Sequence, residues 1–119
     1  MKAKRPFLPV LLFAMLVCGV STAAHAVPPV ASIDGPYEVG FDPFSPDCRD
    51  PVWNAAVSGG TPSYSYKWFV NGTQVGTGSS YTREVCRDDA SFTLSLTVTD
   101  SANQSDSDSF TVWVVRWEM

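Results

Sequence analysis

The sequence has 119 residues, 8 Lys or Arg against 12 Asp or Glu, a single histidine and three cysteines, with 45% hydrophobic residues. A chain of this length builds one modest core. Its acidic balance argues against nucleic acid and anionic membrane surfaces as partners, because both need a basic footprint.

Residues 1–26 have the layout of a secretory signal peptide. Lys2, Lys4 and Arg5 form a basic start, Phe7 to Val20 is an apolar run broken only by Pro9, and Ala24-His25-Ala26 offers small residues at alternate positions before a cut. The run is too short to span a bilayer comfortably, so no membrane insertion is expected after cleavage. Cys18 raises lipidation as a rival, but Val17 stands where a lipoprotein signal wants a small residue. Cleavage after Ala26 leaves 27–119 as a single domain that is secreted or periplasmic. That product has 5 basic residues against 12 acids, no histidine, and two cysteines, Cys48 and Cys86. In an exported chain two cysteines are expected to pair. Closing that span stabilises a fold by roughly 3 to 4 kcal/mol in the chain-entropy view.

In chain order, Val27 to Ser32 leads into a first strand, and Asp34-Gly35-Pro36 interrupts it with turn chemistry. Tyr37 to Phe41 is extended. Asp42 to Pro51, with three prolines and three aspartates, reads as a loop carrying Cys48. Val52 to Ser58 is a strand closed by Gly59-Gly60. Tyr64 to Val70 alternates and ends at Asn71-Gly72, a strong hairpin signal. Gly76 to Ser80 is a loop, and Tyr81 to Cys86 is extended. Phe92 to Thr99 sets Phe92, Leu94, Leu96 and Val98 against Thr93, Ser95, Thr97 and Thr99, so one face is buried and the other wet. Asp100 to Ser107 is a polar connection, and Ser109 to Trp117 is the last strand. Helical periodicity is missing throughout, which leaves an antiparallel β-sandwich of about seven strands.

Tyr64, Tyr66 and Trp68 fall on one face of their strand, where they either form a sugar-stacking platform or fill a core. A resemblance bears on that choice. "PPVASIDGPYEV" resembles the opening strand of PKD-type domains, and "YKWFVNG" and "DDASFTLSLTVTD" resemble strands C and F of immunoglobulin-like modules in bacterial exported proteins. PKD domains continue the strand C tryptophan into Trp-Asp-Phe-Gly-Asp-Gly, whereas Trp68 is followed by Phe69-Val70-Asn71-Gly72. Leu94 stands where antibody-type domains place a cysteine, so their inter-sheet disulfide is missing. The resemblance implies an immunoglobulin-like, PKD-like sandwich in which Trp68 packs inward with Tyr64 and Tyr66. It also makes the strands beside Cys48 and Cys86 antiparallel neighbours, so that the two bridged ends coincide.

The same parity places Phe110, Val112 and Val114 inside and sends Thr111, Trp113, Val115 and Trp117 outward. If strands C, F and G adjoin, then Lys67, Phe69, Trp113, Val115 and Trp117 form a candidate ligand-binding surface beside a wet row of hydroxyls. The plainer reading is that the amino-terminal segment partly covers the last strand, or that its rings shield a sheet edge. Asp100, Asn103, Asp106 and Asp108 lack the Asp-x-Asp-x-Asp-Gly spacing of a calcium loop and read as a solvated acidic turn, as do Asp42, Asp47 and Asp50. No metal or cofactor is expected. Asn71-Gly72-Thr73 and Asn103-Gln104-Ser105 fit glycosylation acceptors, unused under bacterial export.

Carboxylates are the only ordinary acid-base groups left after residue 26 apart from one lysine, which argues against an enzyme. The expected function is a secreted non-catalytic binding module of adhesion type that recognises an extracellular protein or a polysaccharide. The alternative is a structural or accessory module of a cell-surface or secreted-enzyme system, with no ligand of its own.

Overall fold

The computed structural model describes residues 27–118; the export signal read over 1–26, with Cys18, lies outside the described residues. Ten strands follow in order: β1 Val30–Asp34, β2 Glu38–Phe41, β3 Cys48–Arg49, β4 Val52–Ser58, β5 Ser65–Val70, β6 Thr73–Gly76, β7 Ser80–Thr82, β8 Val85–Cys86, β9 Phe92–Thr99 and β10 Ser105–Arg116. They form a five-stranded sheet β2-β10-β9-β5-β6 facing a three-stranded sheet β1-β4-β7, with β3 and β8 as a short ribbon. This is an all-β, immunoglobulin-like sandwich. Its strands pair antiparallel except at β2, which runs parallel to β10.

Strand β9 is central because its alternation is the cleanest: Phe92, Leu94, Leu96 and Val98 are all buried. It pairs with β5 through Trp68↔Leu96 and Val70↔Leu94, and with β10 through Phe110↔Leu94 and Val112↔Phe92. Asn71 and Gly72 turn the chain from β5 into β6 with φ of 49° and 85°, the pair of positive values that favours Asn-Gly in a two-residue hairpin. The hairpin signal thus produces a further strand, β6, whose last residue, Gly76, stands where the loop Gly76 to Ser80 was expected to begin.

Two expectations are corrected at the strand ends. The run Tyr81 to Cys86 is not one strand but two, β7 on β4 and β8 on β3. Both pairs keep the same register, Val52↔Thr82 followed by Arg49↔Val85 and Cys48↔Cys86, so the ribbon continues the sheet after an interruption. Pro51 sits in the gap, where a residue without an N–H cannot complete the ladder. Cys48 and Cys86 are disulfide-bonded at the end of that ribbon, where the bridged ends do coincide. The polar connection Asp100 to Ser107 is also shorter than expected, since β10 begins at Ser105. Asn103, at φ 63°, lets a tight loop close through Asp100 N–H to the Gln104 carbonyl at 2.8 Å.

The core joins the sheets through aromatic rings. Tyr81 stacks on Trp53 with ring centroids 6.1 Å apart and on Trp68 at 6.0 Å, while Phe92 meets Trp53 edge-on. Both buried indoles donate to carbonyls, Trp53 Nε1 to Pro36 at 2.7 Å and Trp68 Nε1 to Gly78 at 2.8 Å. Neither N–H is therefore left unpaired, which burial would otherwise penalise. The Tyr64-Tyr66-Trp68 stripe is core: Trp68 is fully buried, and the two tyrosines are half-buried against the cluster.

Candidate functional surface

Pleat parity divides β10 into two rows. The inner row runs Asp106, Asp108, Phe110, Val112 and Val114; the outer row runs Ser105, Ser107, Ser109, Thr111, Trp113 and Val115, continued by Trp117 just past the strand. Trp113 is 55% exposed and Trp117 52%, whereas Val112 is fully buried. β2 lies alongside in parallel register, Trp113 opposite Glu38 and Val115 opposite Gly40. Trp117 donates its N–H to the Phe41 carbonyl at 2.8 Å, and its ring lies over Gly40 so closely that a Cβ there would clash with the indole. Gly40 is thus required by close approach, in the manner expected of an isolated strand glycine.

The five sequence-predicted residues share this outer face but do not form one cluster. Trp113, Val115 and Trp117 line up along β10. Lys67 and Phe69 sit on β5, level with Ser107 and Ser109 across the intervening β9 residues Thr97 and Ser95. The offset from Phe69 to Trp113 is two strands, about 10 Å, and four residues, about 13 Å along the strand. The middle of the face is hydroxyl: Thr97 and Ser107 approach to 2.9 Å, Thr99 and Ser105 to 2.8 Å. Among the described residues, β2 flanks β10 at the edge of the sheet.

Sequence reasoning missed the β2 side of the site. A cavity of about 300 Å³ opens along the free edge of β2, lined by Pro36, Glu38, Val39 and Gly40 on one side and Arg49, Asp50 and Pro51 on the other. Glu38 and Gly40 belong both to this slot and to the tryptophan row. Arg49 is held there by Phe41, whose ring centroid is 5.4 Å from the guanidinium, and by the Ser45 hydroxyl at 3.0 Å. Gly40, a lone glycine between Val39 and Phe41, was the available signal for a close approach.

The acidic residues have other duties. Asp100 is buried, 4% exposed, which corrects its reading as part of a solvated turn. Its Oδ2 accepts the Thr61 N–H at 2.9 Å and its Oδ1 those of Gln104 at 2.8 Å and Ala102 at 3.0 Å. Burial pushes its carboxyl up, but these donors and the Gln104 side-chain amide outweigh that and hold it below the ordinary aspartate value. Asp106 Oδ2 accepts the Ala31 N–H at 2.7 Å, and Asp108 Oδ2 that of Ile33 at 2.8 Å, so both cap the outer edge of β1. Asp42 keeps its place in an exposed turn, where the Phe44 N–H and the Ser45 hydroxyl hold its carboxyl below the usual value. Asp47 pairs with Arg87 at 3.2 Å. Cys48, Glu84 and Cys86 bring their ligand atoms within 4.8 Å of one another, but the two sulfurs are bonded to each other.

No family model matches the chain, and no curated protein matches it. Solved structures do. The fibronectin(III)-like modules of Clostridium thermocellum CbhA align with a TM-score of 0.52 at 16% identity, over 85% of this chain and 51% of theirs, so the chain spans about half of that structure. The CARDB domain of a Pyrococcus furiosus protein, described in complex with di-metal ions, aligns with a TM-score of 0.46 at 17% identity, over 76% of this chain and 96% of that one. The likeness to the fibronectin(III)-like modules is one of fold, and it agrees with the immunoglobulin-like sandwich seen in the strand order.

Proposed function

We propose that this chain is an exported, non-catalytic binding module, PKD-like in character, formed by 27–119 as one domain. It recognises an extracellular protein or polysaccharide through the outer face of the five-stranded sheet. Trp113, Val115 and Trp117 provide the main contact, with Lys67 and Phe69 at its far side. The observation that carries the reading is the pair of half-exposed tryptophans on a strand whose opposite row is core. Tryptophan is among the residues that most often dominate binding energy, and a folded chain gains nothing in stability from leaving that area in water. Export is supported by the Cys48 to Cys86 bond, which persists in oxidising compartments. The absence of a histidine and of a free thiol after residue 26 supports a non-catalytic role.

The alternative, a structural or accessory module without a ligand, draws on one feature: the hydroxyls at the centre of the face already pair with one another. A panel of immobilised extracellular proteins and polysaccharides, tested with the unmodified protein and with Trp113→Ala, separates the two. The binding reading expects at least one ligand whose affinity falls by about tenfold or more in the variant at unchanged melting temperature. A panel in which no ligand distinguishes the two proteins overturns it in favour of the structural role.

A further inference from the structure

Of the five charged residues in the strands of this sheet, Lys67 and Glu38 have a register that places them on the outer face, and Asp106, Asp108 and Arg116 stand on the inner row. The face thus carries in its strands one charge of each sign and no net charge, which suits a ligand without charge. Its polar groups are hydroxyls, each able to donate and to accept. Ser105, Ser107, Ser109 and Thr111 follow one another along β10 and lead directly to Trp113 and Trp117; Ser105 and Ser107 pair with Thr99 and Thr97, and each such pair keeps a further hydroxyl proton and acceptor lone pairs. Protein interfaces rarely draw binding energy from serine or threonine, and serine is depleted in them. A sugar chain has the matching chemistry: hydroxyls of both senses around its rim, and apolar C–H faces that lie flat on indole rings.

The slot beside β2 is an independent observation pointing the same way. It adjoins the tryptophan row through Glu38 and Gly40, has about 300 Å³ of space, and brings Glu38, Asp50 and Arg49 to its walls. Two carboxylates that accept and a guanidinium that donates can orient the hydroxyls of one sugar unit, and charge-assisted hydrogen bonds of this kind are the stronger ones. Pockets that bind small ligands combine an apolar wall with a few such convergent groups.

Resting on the binding-face reading above, we propose that the ligand is a neutral polysaccharide. Its chain lies along the outer row of β10 across Trp113 and Trp117, with one sugar unit held in the slot by Glu38, Arg49 and Asp50. The test is native affinity electrophoresis in xylan, mixed-linkage β-glucan and hydroxyethyl cellulose, with pull-down on chitin and cellulose and polygalacturonate as the acidic comparison. At least one neutral polymer should retard the protein and polygalacturonate should not. Trp113→Ala should weaken that binding by about tenfold or more and Asp50→Ala by several-fold, both with unchanged melting curves. The inference is overturned if no neutral polymer binds, if polygalacturonate binds equally well, or if Asp50→Ala binds as the unmodified protein does. A protein ligand that is lost in Trp113→Ala while all the neutral polymers fail would overturn the polysaccharide and leave the binding face standing. Binding unchanged in a folded Trp113→Ala would remove both.

Discussion

Trp68 and Trp113 are the same residue on adjoining parts of one sheet, and truncating each should have opposite consequences. Trp68 is fully buried, stacks on Tyr81 through its partner ring plane and donates to the Gly78 carbonyl. Trp68→Ala should cost roughly 3 to 5 kcal/mol, a large share of a small domain's stability. Trp113→Ala removes a half-exposed ring and should cost about 0.5 kcal/mol or less. Thermal melts of the two variants check this; the reverse order would mean that the faces of the sheet are exchanged. Asp100 sets a pH dependence at the same scale. Its folded-state carboxyl lies below its unfolded value, so its contribution is fully present above about pH 4 and is lost as pH falls through the folded value. The melting temperature should therefore hold from neutral pH to about pH 5 and decline on the acid side of about pH 4. Asp100→Asn places an amide N–H₂ among N–H donors. It should lower the melting temperature at pH 7 and flatten that acid decline.

At the scale of elements, β1 is an edge strand whose outward N–H groups at Ala31 and Ile33 are taken by carboxylates of β10, a strand of the other sheet. The two sheets are thereby tied along their open side by hydrogen bonds as well as by packing. It also removes donors that would otherwise recruit another chain to the edge. Asp106→Ala and Asp108→Ala should each cost about 1 to 2 kcal/mol, since a charged acceptor to a backbone donor is lost. Amide hydrogen exchange should show the loss first at Ala31 and Ile33, with the β9 amides retaining their protection. Uniform acceleration across both sheets would show instead that β1 opens only with the whole sandwich.

For the whole molecule, the Cys48 to Cys86 bond closes the β3–β8 ribbon at a sequence separation of 38 residues. In the chain-entropy view, reducing it should remove about 4 kcal/mol of stability. Denaturant titrations with and without a dithiol reductant measure the difference, and coincident curves would show that the ribbon constrains little. Four of the five basic residues after position 26, Arg49, Arg83, Arg87 and Arg116, gather around this end. Arg49 and Arg87 lie over the Phe41 ring, and Arg83 lies 4.6 Å from the Phe92 centroid.

Sequence alone determined what depends on neighbours in the chain. Alternation in Phe92 to Thr99 and in Phe110 to Val114 set which rows are core, because successive side chains of a strand must point to opposite faces. Asn71-Gly72 set a hairpin, because few residues accept two positive φ values in succession. The outward placement of Trp113 and Trp117 follows from the same parity and was legible for that reason. Only the tertiary structure decided what depends on residues distant in the chain. β2 joins β10 in parallel, which brings Gly40 beneath Trp117 and opens the slot against Arg49 and Asp50. Asp106 and Asp108 read as solvent-facing from local composition, yet the second sheet supplies them with N–H donors some 75 residues away in sequence. No local pattern encodes such a partner, because closure of the sandwich is what brings the two strands within hydrogen-bonding distance.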